Sequence, residues 1–66
     1  MKVTVNGERR DVPDGVSVHT LATQVLDRPT GVAVAVNGEV VPRSAWASTA
    51  LCHDDRVEVV TARQGG

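Results

Sequence analysis

An α+β fold, with one amphipathic helix packed on one face of a mixed sheet of four to five strands, is predicted by three observations. Two Asn-Gly dipeptides, Asn6-Gly7 and Asn37-Gly38, each sit between strand-like runs. Between them lies a single stretch in which apolar residues recur at helical spacing. A last β-branched run, Val57-Glu58-Val59-Val60-Thr61-Ala62, follows. With 66 residues there is room for one domain, since a chain of this size buries only about 60% of the surface that its unfolded form exposes.

Val3 and Val5 alternate with Lys2, Thr4 and Asn6, and after Asn6-Gly7 the chain returns through Glu8-Arg9-Arg10-Asp11-Val12 to Pro13. Asn-Gly tolerates the positive φ angles of a type I′ turn, so this segment reads as a hairpin. Its second strand is polar and stops at a proline, which suits a sheet edge. Past Pro13-Asp14-Gly15, Ser17 can cap a helix by accepting a backbone N–H bond, and Val18, Leu21, Ala22, Val25 and Leu26 form its apolar stripe. The helix is expected to end near Asp27-Arg28, because Pro29 disfavours helical geometry in the residue before it. Val32-Ala33-Val34-Ala35-Val36 is continuously apolar and reads as a central strand. Asn37-Gly38 turns it into a short edge strand, Glu39-Val40-Val41, that meets Pro42. Arg43 to Ala47 is too short to read as a helix, Ala50 to Asp55 reads as a connection with a turn, and Val57 to Ala62 is the final strand. This order of elements places one helix against one face of a mixed sheet, the β-grasp (ubiquitin-like) arrangement. Residues 1–62 are expected to form the domain and 63–66 a flexible C-terminal tail.

Composition argues against several functions. The net charge of −1, with one Trp and no Tyr or Phe, offers neither the basic patch nor the stacking platform of a nucleic-acid binder. A core this small supplies roughly 3–5 kcal/mol of net stability, which leaves little to support an enclosed pocket of desolvated catalytic groups. The chain is therefore expected to be acted on by enzymes rather than to be one. Cys52 is the only cysteine, which excludes an internal disulfide and fits a reducing compartment. The N-terminal residues contain no continuous apolar stretch, so no membrane association and a cytoplasmic setting are expected.

The end of the chain is where chemistry concentrates. Arg63-Gln64-Gly65-Gly66 can reach roughly 13–14 Å if extended, and two glycines without Cβ atoms can thread a narrow channel in another protein. The α-carboxylate of Gly66 has an ordinary pKa of about 3.3–3.7 and is ionised at neutral pH. It can attack the α-phosphate of ATP to give an acyl-adenylate, from which a sulfur or amine nucleophile displaces AMP. No phosphate-binding Gly-rich loop occurs here, so no cofactor is expected to be bound intrinsically; ATP and Mg²⁺ would be held by a partner.

The opening strand to Asn6-Gly7, the helix from Ser17, the run Val36-Asn37-Gly38-Glu39-Val40-Val41-Pro42-Arg43 followed by Trp46, and the ending Gly65-Gly66 resemble the sulfur-carrier protein family of thiamine biosynthesis. Val-Pro-Arg with Trp three positions on is the discriminating part. The diglycine alone is shared with molybdopterin-type carriers and ubiquitin-like modifiers. The resemblance implies that Gly66 is adenylated and converted to a thiocarboxylate, with Gly65 giving access. It also implies three partners: an adenylyltransferase of the ubiquitin-activating type, a sulfur donor such as a cysteine desulfurase, and thiazole synthase. Two departures stand out. Asp54-Asp55 occupies a turn where relatives commonly place a glycine between acidic residues, and Arg63-Gln64 precedes the diglycine where many are more apolar.

If Val32, Val34 and Val36 face the helix, Ala33 and Ala35 lie on the opposite face, because strand side chains alternate. With the last strand alongside, Val60 and Ala62 extend that apolar surface toward Arg63 and Gln64, and these residues are the expected partner-binding set. Trp46 is expected to pack rather than to bind. Cys52-His53-Asp54 reads as an ordinary turn, with a lone cysteine more often a small core residue. His19 reads as a solvated side chain, and with His53 makes too sparse a set for a metal. Glu8 to Asp11 reads as a solvated edge.

Overall fold

The computed structural model describes residues 1–26 and 31–61. Strands β1 (Lys2–Val5), β2 (Glu8–Asp11), β3 (Val32–Val36), β4 (Glu39–Val41) and β5 (Arg56–Thr61) form one sheet in the order β2-β1-β5-β3-β4, and helix α1 (Val18–Val25) follows the first hairpin. β1 and β5 run parallel at the centre, and every other pairing is antiparallel. This is the mixed β-grasp sheet anticipated from the order of elements, with the polar β2 and short β4 at its edges.

Both Asn-Gly dipeptides close their hairpins as expected. Asn6 and Asn37 have φ of 51° and 52°, and the glycines after them 85° and 86°. Such angles are costly for most side chains and least so for Asn and Gly, so the turn chemistry sets the register of both hairpins.

Ser17 caps α1 as its sequence position predicts, its Oγ accepting the Thr20 N–H at 3.1 Å. The remaining unpaired N–H groups of the first turn go elsewhere: Val18 donates to the Thr49 carbonyl at 2.9 Å and His19 to that of Trp46 at 3.2 Å. The irregular segment before β5 thus satisfies the donors that a helix start cannot pair internally. The helix ends earlier than the proline suggested. Its cap is Leu26, extended at φ −124°, which turns that side chain into the margin of the core; Asp27-Arg28 lie outside the described residues.

The core contains Val3 and Val5 of β1, Leu21 and Ala22 of α1, Val34 of β3 and Val57 and Val59 of β5, closed by Leu51 and Trp46. Trp46, 2% exposed, explains the Val-Pro-Arg-x-x-Trp run. Pro42 starts a single 3₁₀ turn over Arg43–Ala45. The indole Nε1 donates to the Val41 carbonyl at 2.9 Å, and the Arg43 guanidinium lies 4.8 Å from the ring centroid. The motif ties the end of β4 to the helix side of the sheet.

Candidate functional site

On the sheet face away from α1, the pairing register decides which side chains become neighbours. Ala33 pairs with Val60, and Ala35 pairs with Glu58 on one side and Val40 on the other. Since Ala33 and Ala35 are two residues apart on one strand, Val60, Ala33, Ala35 and Val40 form a diagonal apolar strip across β5, β3 and β4. Val60 is 59% and Val40 73% exposed, the large hydrophobic side chains left uncovered among the described residues. Small alanines between them keep the strip flat. Glu58 and Arg56, both exposed, continue the outer face along β5.

Ala33, Ala35 and Val60 therefore share one face, as expected from alternation. Ala62, Arg63, Gln64, Gly65 and Gly66 lie outside the described residues. Val40 was not among the expected residues, although the signal was present: counting outward from a two-residue Asn37-Gly38 turn pairs Val36 with Glu39 and Ala35 with Val40. The notion of β4 as merely a short edge strand hid that its middle residue faces the same way as Ala35.

The cluster at the turn before β5 behaves differently from expectation in one respect. Cys52 is exposed rather than a small core residue, because Leu51 occupies the core position and the chain then turns outward. The adjacent residues His53 and Asp54 also meet, His53 Nε2 lying 3.5 Å from Asp54 Oδ1. Their bonds nevertheless serve the turn. His53 Nδ1 accepts the Lys2 N–H at 3.1 Å, and the Cys52 N–H donates to Asp55 Oδ2 at 2.7 Å. Asp54 sits at φ 70°, a left-handed conformation that glycine adopts without steric cost. Its carboxyl is held below the usual carboxylate range by the hydrogen bond from Arg9, at 3.0 Å, with His53 adding to the effect. No cluster that could hold a metal ion occurs among the described residues. No helix among them is long and apolar enough to cross a membrane.

The arrangement offers a flat apolar strip on the outer sheet face, part of it on the strand that leads to the diglycine, and no enclosed site among the described residues. The sequence profile of the ThiS family matches residues 3–66. The chain belongs to the ThiS sulfur-carrier family. It is 30% identical to the sulfur carrier protein ThiS of Escherichia coli over 66 residues, the whole of both chains. The crystal structure of the thiamine biosynthesis protein ThiS of Geobacter metallireducens superposes with a TM-score of 0.86 at 32% identity, again over the whole of both chains. This ThiS-family chain is also 35% identical over its full length to a thiazole synthase of Paramagnetospirillum magneticum, of which it spans 20%.

Proposed function

We propose that this chain carries sulfur on its C-terminal glycine for thiazole formation in thiamine biosynthesis. The observation that carries the reading is that the ThiS-family match runs to residue 66 and so includes Gly65-Gly66. A carboxylate oxygen of Gly66 attacks the α-phosphorus of ATP, held with Mg²⁺ on an adenylyltransferase of the ubiquitin-activating type, and pyrophosphate leaves. The terminal sulfur of a persulfide, carried by a donor such as a cysteine desulfurase, then displaces AMP from the acyl carbon, and a second thiol cleaves the resulting acyl disulfide, leaving as a disulfide with the donor's sulfur. The resulting thiocarboxylate is a softer and stronger nucleophile than the carboxylate, and it passes sulfur to thiazole synthase without releasing free sulfide. In this reading residues 1–62 are the body that partners recognise, residues 63–66 the reacting tail, and the chain a co-substrate. Two relatives named thiazole synthase contain, within one chain, a segment similar to the whole of this one at 35% identity, which supports thiazole synthase as the sulfur's destination.

The strip of Val60, Ala33, Ala35 and Val40 is the proposed docking surface, continued by Ala62, Arg63 and Gln64 toward Gly65. It is apolar and flat, and it sits beside the strand that feeds the tail, so a partner seated there has the tail within reach of its active site.

The test is the intact mass of the native-ended protein after incubation with ATP, Mg²⁺, a sulfur donor and the adenylyltransferase, beside a Gly66-deletion control. Replacement of one oxygen by sulfur, absent in the control, is the expected result. Adducts to lysine amines that resist thiol reductants would make the chain a modifier instead. For the docking strip, Val60→Asp and Val40→Asp should keep the parent melting temperature and lose adenylation; undiminished adenylation in both would remove the strip from the proposal.

A further inference from the structure

Every second residue of β5 presents its backbone groups toward β1. Counting from Asp55, just before the strand, the first two positions of that series are met by backbone of β1 and of Asn6 just after it: Thr4 N–H donates to the Asp55 carbonyl at 3.0 Å, and Asn6 N–H to that of Val57 at 2.9 Å. There β1 ends, because the chain turns away at Asn6-Gly7, and the β1–β5 register runs no further than Val5 opposite Val57. Val59 is the next residue in the series, and it is met by a side chain. The Val59 N–H donates to Asn6 Oδ1 at 2.9 Å, and Asn6 Nδ2 donates to the Val59 carbonyl at 3.1 Å. A carboxamide has the donor and acceptor of a peptide group, so Asn6 extends the ladder by one residue after its own backbone has left.

This pairing is chemically narrow. Aspartate has no N–H for the Val59 carbonyl and would set a charged oxygen against it. Glycine would hold the turn equally well at φ 51° but has no side chain to pair. A residue needed only for the turn would therefore be replaceable by glycine without consequence.

The opposite end of β5 holds a matching feature that serves as an internal control. Asn37 Oδ1 accepts the Arg56 N–H at 2.9 Å and its Nδ2 donates to Asp55 Oδ1 at 2.9 Å. Asn37 too sits in an Asn-Gly turn with positive φ. It secures the start of the strand, whereas Asn6 secures the part from which the chain runs through Thr61 to the diglycine.

We propose that Asn6 is a positioning residue for the end of the last strand, its carboxamide fixing the course of β5 past Val59 as far as Thr61, from which the chain continues to the diglycine. The proposal rests on the carrier reading for its functional consequence, while its structural half stands apart from that reading. The experiment compares Asn6→Gly, Asn6→Asp and Asn37→Gly with the parent. Amide exchange by NMR reports on Val59 and Thr61, melting temperature on stability, and pyrophosphate release by the adenylyltransferase on KM and kcat for the carrier, all well below the lowest melting point. Asn6→Gly and Asn6→Asp should lose protection at Val59 and raise KM by about tenfold or more, with kcat at saturation little changed, because only the fraction of molecules with the strand correctly held is competent to bind and saturation draws the rest into that state. Asn37→Gly should lower the melting temperature comparably and leave KM at the parent value. Equal KM values in Asn6→Gly and the parent, equal KM increases in Asn6→Gly and Asn37→Gly, or retained protection of Val59 in Asn6→Gly would each overturn the proposal. If the parent itself releases no pyrophosphate with an enzyme active on its own carrier, the carrier reading fails, and exchange at Val59 alone decides whether the carboxamide holds the strand.

Discussion

Replacing Trp46 tests whether the indole is a structural anchor or a partner contact. The side chain is 2% exposed, and an aromatic residue so enclosed removes about 150–250 Å² from water. Truncation of a buried aromatic residue to alanine costs about 3–5 kcal/mol, whereas a domain of 66 residues has roughly 3–10 kcal/mol of total stability. Trp46→Ala is accordingly expected to leave much of the population unfolded at 37 °C. Trp46→Phe keeps most of the apolar area but loses the Nε1 bond to the Val41 carbonyl and leaves a small void, together about 1–2 kcal/mol. For a domain of this size that corresponds to a fall in melting temperature of about 4–16 °C. Far-ultraviolet circular dichroism is the suitable readout, because Trp46 is the only aromatic residue and its fluorescence disappears with the substitution. A Trp46→Ala protein that melts within about 4 °C of the parent, less than 1 kcal/mol on that scale, would refute the argument and return Trp46 to the surface as a binding residue.

Ser17→Ala removes the N-cap bond to Thr20 and should lower stability by about 1 kcal/mol, measured by urea titration; no change in midpoint would mean that the carbonyls of Trp46 and Thr49 suffice to start α1. Asp54→Gly should raise the melting temperature, since it relieves a left-handed backbone at φ 70° and gives up only exposed contacts with Arg9 and His53; a fall larger than that of Arg9→Ala would contradict this. Because the Asp54 carboxyl is held below its ordinary range, its pairing contributes stability above the unfolded carboxylate pKa and loses it as pH falls through the lowered folded value. The melting-temperature gap between the parent and Arg9→Ala should thus be present at pH 7, close in strong acid, and shrink in about 1 M salt, where screening acts within about 3 Å; a gap unchanged by acid would exclude the pair as its source.

What the sequence made legible was whatever depends on local chemistry. Asn-Gly announced both hairpins because few other pairs accept two successive positive φ angles, and the VAVAV run announced a central strand whose alternation assigned Ala33 and Ala35 to the outer face. Ser17 was readable as a cap from its place before an apolar stripe. The features that escaped notice depend on contacts distant in sequence. The bond of Asn6 to Val59 spans 53 residues, and nothing near Asn6 marks it as more than a turn. Val40 joins the outer apolar strip through register, and Cys52 left the core because Leu51 filled it. At the end of α1, Leu26 is extended and its side chain lies against the margin of the core, a tertiary contact that helical spacing alone does not show.

The parallel pairing of β1 with β5 has a consequence for how the molecule comes into being. The hairpins β1–β2 and β3–β4 are each closed by short-range turns and can form early, yet within the sheet they are joined only through β5. Joining them means closing a loop of about fifty residues, a slow step of the kind that dominates folding in topologies rich in non-local contacts. Without β5 the two hairpins have no strand between them, so the sheet is complete only once the last strand has joined. Assembly of the body and exposure of the strand leading to Gly65-Gly66 become a single event. An activating enzyme that recognises the assembled sheet would thereby be kept from engaging incomplete chains.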